Sequence, residues 1–80
     1  MKNNKVEVYI RDGCGDECDK LIQFFEKRDI TYTLNNISND PTLLEKLREH
    51  NVYITPVTFF GESEYIFGYQ HSKLEDVFGS

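Results

Sequence analysis

Two periods of hydrophobic residues follow one another at the start of the chain and predict a strand and then a helix. Val6, Val8 and Ile10 recur at every second position, which is the period of a strand. Over residues 16–28 the apolar residues instead recur three and four positions apart, as they do on one face of a helix. The residues on that face are Cys18, Leu21, Ile22 and Phe25.

The rest of the chain predicts three more strands and two more helices. Asp40 and Pro41 indicate a helix start, because Asp caps free N–H groups and Pro suits the first helical position. Asn51 is expected to end that helix in a left-handed conformation. The other predicted elements are a strand over 31–35, a hairpin of 57–60 and 64–67 with its turn at Gly61 and Glu62, and a closing helix from about His71.

The order of these elements, β-α-β-α-β-β-α, predicts an α/β fold. Its first βαβ unit should be parallel and right-handed, whereas the hairpin adds two antiparallel strands. We therefore expect a four-stranded mixed sheet flanked by three helices, with helices on both of its faces.

Size and charge limit the classes of function. A chain of 80 residues is expected to form a single domain, 1–80. Nine basic residues against fourteen acidic ones give a net charge of −5, the opposite of the basic surplus that nucleic-acid binders carry. No apolar run approaches the ~18 residues of a membrane span, and no signal-peptide core is visible at the start. The expectation is a cytoplasmic protein with neither a nucleic-acid nor a membrane partner.

The two cysteines, Cys14 and Cys18, are the strongest candidates for chemistry. They are too few for a disulfide scaffold, and a structural zinc site needs four ligands. A close pair in a reducing compartment indicates a redox-active or metal-binding site. The pair lies between the first strand and the first helix, where ligands bind in open α/β sheets and where a helix N-terminus stabilises a thiolate.

The spacing Cys-x-x-x-Cys favours different roles for the two thiols. Cys14 is expected in the loop as the exposed, attacking thiol, and Cys18 on the apolar helix face as the partly buried thiol that resolves a mixed disulfide. Side chains one helical turn apart point too nearly parallel to close a disulfide, so Cys14 has to lie off the helix. Gly13 and Gly15 on either side allow that backbone path.

Three segments make the chain similar to the glutaredoxin family of the thioredoxin-fold superfamily, over about residues 6–78. They are the approach to the first cysteine over 8–14, the Thr-Pro segment over 54–59, and the Gly-Tyr turn with the helix that follows it over 68–75. The resemblance implies a thioredoxin-like fold. It also implies a thiol–disulfide oxidoreductase with catalytic Cys14 and Cys18 and no bound cofactor or metal.

The resemblance further implies where a substrate lies. The bond between Thr55 and Pro56 is expected to be cis, with the backbone of Thr55 alongside the bound peptide or glutathione. Gly68 and Tyr69 are expected to form the groove wall. The full set of substrate-binding residues expected on this basis is Arg11, Gly13, Thr55, Pro56, Gly68 and Tyr69.

Two features differ from the usual family pattern. Three residues rather than two separate the cysteines, and residues 11–20 hold four acidic and two basic side chains, a local charge of −2. The Gly68-Tyr69 pair is more similar to the small redoxins that reduce ribonucleotide reductase. The electron source is therefore expected to be glutathione or a flavoprotein of the thioredoxin reductase type. The protein is expected to be a monomer. Its expected partners are a disulfide-containing protein, glutathione or ribonucleotide reductase.

Two other functions stay open at this point. Some glutaredoxins bridge a [2Fe–2S] cluster between two subunits through the first cysteine and glutathione. The chain could also be a non-catalytic interaction or redox-sensing domain whose lengthened loop has lost turnover. An absorption spectrum of anaerobically purified protein tests the first alternative, and a disulfide-reduction assay tests the second.

Overall fold

Strands and helices follow one another in the predicted order. The computed structural model describes residues 6–61 and 64–79. Its elements are β1 (Glu7–Ile10), α1 (Asp16–Lys27), β2 (Thr33–Asn36), a 3₁₀ turn (Pro41–Leu43), α2 (Leu44–Glu49), β3 (Val57–Phe59), β4 (Tyr65–Phe67) and α3 (His71–Phe78). The predicted β-α-β-α-β-β-α order is confirmed.

The four strands form one mixed sheet in the order β2-β1-β3-β4. β1 and β2 are parallel, and β3 is antiparallel to both β1 and β4. Since the carboxyl ends of β1 and β2 lie at the same edge and β3 starts there, this edge is where the loop with the cysteines leaves the sheet.

Alternate residues of the strands face opposite sides of the sheet, and both sides are covered. Val8 packs with α1 and α3 through Leu21 and Leu74, whereas its neighbour Tyr9 packs with Leu47 of α2. All five of these residues are buried, and Val8, Leu21 and Leu74 are buried completely. Helices on both faces are therefore confirmed, and two separate apolar clusters hold the sheet between them.

The strand boundaries differ from the prediction by a few residues. The strand predicted over 31–35 begins at Thr33, whose N–H donates to the Val6 carbonyl at 2.9 Å and so starts the parallel ladder. β3 ends at Phe59, one residue earlier than expected. Glu62, part of the predicted hairpin turn, lies outside the described residues.

The second helix begins with a tighter turn than predicted. Pro41–Leu43 is a 3₁₀ turn, a form that is frequent at helix starts, and α2 proper follows it. Asp40 caps this turn as expected, because its carboxylate accepts a hydrogen bond from the Thr42 N–H at 3.2 Å. Asn51 has a φ of 57°, which confirms the left-handed end of the helix.

Candidate active site

Cys14 and Cys18 form a disulfide at the junction of β1 and α1. Their Cα atoms are 5.8 Å apart, inside the ~4.4–6.8 Å range of disulfide-bonded cysteines. Cys14 lies in the loop and is half-buried, whereas Cys18 lies in the first turn of α1 and is only 4% exposed. Cys14 is therefore the more accessible of the two residues.

The backbone on both sides of Cys14 keeps it off the helix, as the spacing predicts. The Cys14 N–H donates to the Arg11 carbonyl at 3.2 Å and closes a tight turn. Gly13 has a φ of 79° and Gly15, the capping residue of α1, a φ of 83°, values that favour glycine. The side chain of Arg11 is exposed, and this residue contributes its carbonyl to the turn.

The turn before Cys14 is fixed to the end of β2 by two hydrogen bonds, and a third orders the residues that make them. The Asp12 N–H donates to Ser38 Oγ at 3.0 Å, and Asn36 Nδ2 donates to Asp12 Oδ1 at 3.1 Å. Ser38 in turn donates its N–H to Asn36 Oδ1 at 2.8 Å. The carboxylate of Asp12, one of the four acidic groups of residues 11–20, is thus directed towards β2.

The Thr55–Pro56 segment lies beside the end of β1. Its peptide bond is cis, which confirms the prediction. Val57 pairs with Tyr9 in the antiparallel β1–β3 ladder, so Pro56, one residue earlier, lies next to Ile10. Pro56 is buried and Thr55 is half-buried.

Gly68 and Tyr69 continue this edge on the far side of Pro56. The Gly68 N–H donates to the Pro56 carbonyl at 2.6 Å, one step beyond the Val57–Phe67 pair of β3 and β4. Gly68 has a φ of 62° and is buried, whereas Tyr69 is half-buried.

Glu17, between the two cysteines, joins the cysteine loop to this turn. Its Oε2 accepts a hydrogen bond from the Tyr69 N–H at 3.1 Å. The same oxygen occupies the space where a Cβ of residue 68 would stand. In the sequence, Glu17 is one of the four acidic residues of 11–20; its partner lies 52 residues away, and no local pattern signals the contact.

The ring of Tyr69 is held by a chain of polar contacts along α3. The Tyr69 hydroxyl is 2.9 Å from His71 Nδ1, and His71 Nε2 is 3.2 Å from Glu75 Oε2. Glu75 also pairs with Arg28 at the end of α1, whose guanidinium lies 3.9 Å over the ring of Phe24. The turn that holds Tyr69 is thus tied to both helices of one sheet face.

A metal site or a membrane span is not found in the described part of the chain. Over residues 6–61 and 64–79, no three His, Cys, Asp or Glu side chains are grouped so that they could hold a metal ion. Within the same residues, no helix is both long and apolar enough to cross a membrane.

Comparison with known families agrees with this geometry. The sequence profile of the glutaredoxin family matches residues 6–65, which include both cysteines and the Thr55–Pro56 bond. The chain belongs to the glutaredoxin family. No curated protein matches it significantly in sequence.

Solved structures show the same fold at low sequence identity. The thioredoxin-like protein BC3987 superposes with a TM-score of 0.81 at 24% identity, covering 91% of this chain and 99% of its own. The glutaredoxin-like NrdH-redoxin from Escherichia coli gives 0.79 at 20% identity, with 95% and 97% covered. The glutaredoxin grx-1 from Archaeoglobus fulgidus gives 0.80 at 18% identity, with 100% and 98% covered. The chain thus has a thioredoxin-like fold.

The family, the fold and the cysteine pair agree on one general role. A glutaredoxin-like fold carries two cysteines at disulfide distance, in the loop that follows β1. This combination supports a role in thiol–disulfide redox chemistry.

Proposed function

We propose that the protein is a thiol–disulfide oxidoreductase that reduces protein disulfides or mixed disulfides through Cys14 and Cys18. The observation that carries the proposal is the difference in burial between the two bonded cysteines. Cys14 is half-buried at the start of α1, and Cys18 is buried within its first turn. Such a pair can exchange with an outside disulfide at one sulfur and close internally at the other.

The cycle begins with both cysteines reduced. Cys14 directly precedes the cap of α1, where free backbone N–H groups and the helix dipole favour its thiolate. The thiolate attacks one sulfur of the substrate disulfide, so that a Cys14–substrate disulfide forms and the other substrate sulfur leaves as a thiolate. The Cys18 thiolate then attacks the Cys14 sulfur, which releases the second substrate thiol. The substrate disulfide gains two electrons and is reduced to two thiols. The Cys14–Cys18 dithiol loses these two electrons and is oxidised to a disulfide.

The substrate is held, in this proposal, along the edge formed by Thr55–Pro56 and Gly68–Tyr69. Thr55 precedes Pro56, and the register of β1 and β3 puts this segment next to the end of β1, from which the cysteine loop leaves. Gly13 and the exposed Arg11 precede Cys14 in that loop and complete the proposed substrate-binding residues. The chain acts as a single domain, 1–80, and a disulfide-containing protein is its substrate class.

Single-cysteine variants test this mechanism directly. Pre-reduced protein should reduce bis(2-hydroxyethyl) disulfide and insulin, whereas Cys14→Ser should be inactive because no accessible thiol remains. Cys18→Ser should stop after the first step and accumulate a mixed disulfide on Cys14, visible by mass spectrometry as one added thiol per chain.

Three outcomes would contradict the proposal. An inactive wild-type protein would favour a non-catalytic domain. Trapping that needs Cys18 and survives Cys14→Ser would reverse the two roles. Charge-transfer bands of an iron–sulfur cluster in anaerobically purified protein would indicate metal binding instead.

The Cys14–Cys18 disulfide is reduced back to the dithiol, in this proposal, by glutathione or by a flavoprotein reductase. The Escherichia coli NrdH-redoxin has a thioredoxin-like activity profile, which makes a reductase of the thioredoxin type the first to test. Steady-state reduction of insulin with each electron source in turn distinguishes the two.

A further inference from the structure

The carboxylate of Glu17 fills the corner of the groove next to Gly68 and Tyr69. Glu17 Oε2 accepts the Tyr69 N–H at 3.1 Å, and its Cδ is 3.3 Å from the position of a Cβ on residue 68. The Gly68 N–H is taken by the Pro56 carbonyl. The backbone donor of Tyr69 at this corner therefore already has an anionic partner from the same chain.

The position of Glu17 in the chain places its contact with Tyr69 close in sequence to the two cysteines. Glu17 directly precedes Cys18 in the first turn of α1, and Tyr69 lies in the turn between β4 and α3. A disulfide that exchanges with Cys14 and lies along Pro56 and Gly68 would come up against this carboxylate. A ligand that brings its own carboxylate would meet a like charge there and find the N–H donor occupied.

The rest of the loop adds to this effect without sharing the contact. Residues 11–20 carry a net charge of −2, but the Asp12 carboxylate accepts a hydrogen bond from Asn36 and is turned towards β2. Asp16 is exposed at the start of α1. Glu17 is thus the loop carboxylate whose contact joins the loop to the Gly68–Tyr69 corner.

We propose that Glu17 is a specificity-determining residue. Its carboxylate occupies the Tyr69 N–H, which could otherwise donate to an anionic ligand, and so makes the protein select neutral over anionic disulfides. This inference rests on the proposed oxidoreductase function and adds the class of disulfide that the site accepts. Glutathione disulfide, with its four carboxylates, is the disfavoured class, and uncharged disulfides are the favoured class.

Rates with two disulfides test the inference in single-turnover reactions of pre-reduced protein. Each reaction converts the dithiol to the Cys14–Cys18 disulfide and releases two thiols. The readout is the rate with glutathione disulfide divided by the rate with bis(2-hydroxyethyl) disulfide. This ratio cancels any change in the nucleophilicity of Cys14.

Two variants separate the specific contact from general charge. Glu17→Ala frees the Tyr69 N–H and should raise the ratio roughly fivefold or more, as expected for a lost like-charge contact together with a gained hydrogen bond. Asp16→Asn removes the same unit of charge one residue earlier and leaves the Tyr69 N–H occupied, so its ratio should rise less than twofold. Equal changes in both variants, or no change in Glu17→Ala, would overturn the inference.

A binding measurement keeps the inference testable without turnover. In oxidised Glu17→Ala, the Tyr69 amide signal should shift in ¹⁵N–¹H spectra when S-methylglutathione is added, and in the wild-type protein it should not. An unmoved Tyr69 signal in the variant would refute the role of Glu17. If wild-type protein fails to reduce even the neutral disulfide, the proposed function fails, and this measurement alone decides the inference.

Discussion

Thr58 is the buried polar residue at the centre of the sheet. It pairs with Val8 on one side and Ile66 on the other and is fully buried. Its Oγ1 has no hydrogen-bond partner among the residues that the structure describes. A buried hydroxyl without a partner costs roughly 1–3 kcal/mol relative to its hydrated state. The sheet is therefore held together in spite of this atom, by the apolar residues around it.

Thr58→Val should stabilise the protein by about 1 kcal/mol, because a methyl group of similar shape replaces the unpaired hydroxyl. Urea denaturation of oxidised protein measures the free energy of unfolding. Thr58→Ser is the matched control, since it keeps the hydroxyl, removes the methyl group and should destabilise the protein. A loss of stability in Thr58→Val would mean that the hydroxyl has a partner, such as a buried water.

At the scale of elements, the start of α1 determines where the reactive sulfur lies. Gly15 caps the helix with a φ of 83° and a ψ of −151°, a conformation that is essentially restricted to glycine. A helical residue in its place would continue α1 backwards through Cys14. The cap thus separates one cysteine in the loop from one in the helix.

Gly15→Ala should destabilise the protein by about 1–3 kcal/mol through backbone strain alone. Nothing lies within 4 Å of the added Cβ, so a steric clash does not contribute. Denaturation of the reduced protein measures the effect without the crosslink. Asp16→Ala at the next position serves as the control and should cost under about 1 kcal/mol, the size of a lost charge at a helix N-terminus. Equal losses in the two variants would show that Gly15 is not needed for its φ.

At the scale of the whole molecule, a buried tyrosine makes stability depend on alkaline pH. Burial raises the pKa of Tyr9 to about 12, and the charge of Glu7 and its hydrogen bond with the hydroxyl act in the same direction. The Tyr9 hydroxyl donates to Glu7 Oε1 at 3.3 Å, and Lys46 Nζ donates to the same oxygen at 2.6 Å. This group links β1 to α2 across one face of the sheet.

The sign of the pH dependence follows from the raised pKa. The unfolded chain loses the Tyr9 proton near pH 10 and the folded protein near pH 12, so the stabilisation is complete below pH 10 and lost as pH rises towards 12. The free energy of unfolding of the wild-type protein should therefore fall, relative to Tyr9→Phe, by at most about 1.4 kcal/mol per pH unit in this range.

Urea denaturation at several pH values between 8 and about 11.5 checks this difference. Glu7→Gln should reduce the slope without abolishing it, because burial is the larger cause of the raised pKa. Identical slopes for wild-type protein and Tyr9→Phe would contradict the assignment of the effect to this side chain.

The sequence by itself determined the element order and the position of the cysteines. These two features depend on short-range physics. The alternation around Val8 and the apolar helix face around Leu21 reflect burial on one side of a strand or helix. The glycines beside Cys14 reflect local steric freedom. The resemblance to a known family supplied the expectation for Pro56.

Only the tertiary structure decided which side chains meet at the edge of the sheet. The hydrogen bond of Glu17 to the Tyr69 N–H spans 52 residues, and that of Asn36 to Asp12 spans 24. Such contacts depend on strand register and on how α1 and the β4–α3 turn pack against the sheet, and no local period encodes either. From the sequence, Glu17 and Asp12 carry the same charge, and both lie within three residues of Cys14. The fold turns the Glu17 carboxylate to the Tyr69 N–H and the Asp12 carboxylate to Asn36 of β2, because their neighbours in space, not in sequence, offer the hydrogen-bond donors.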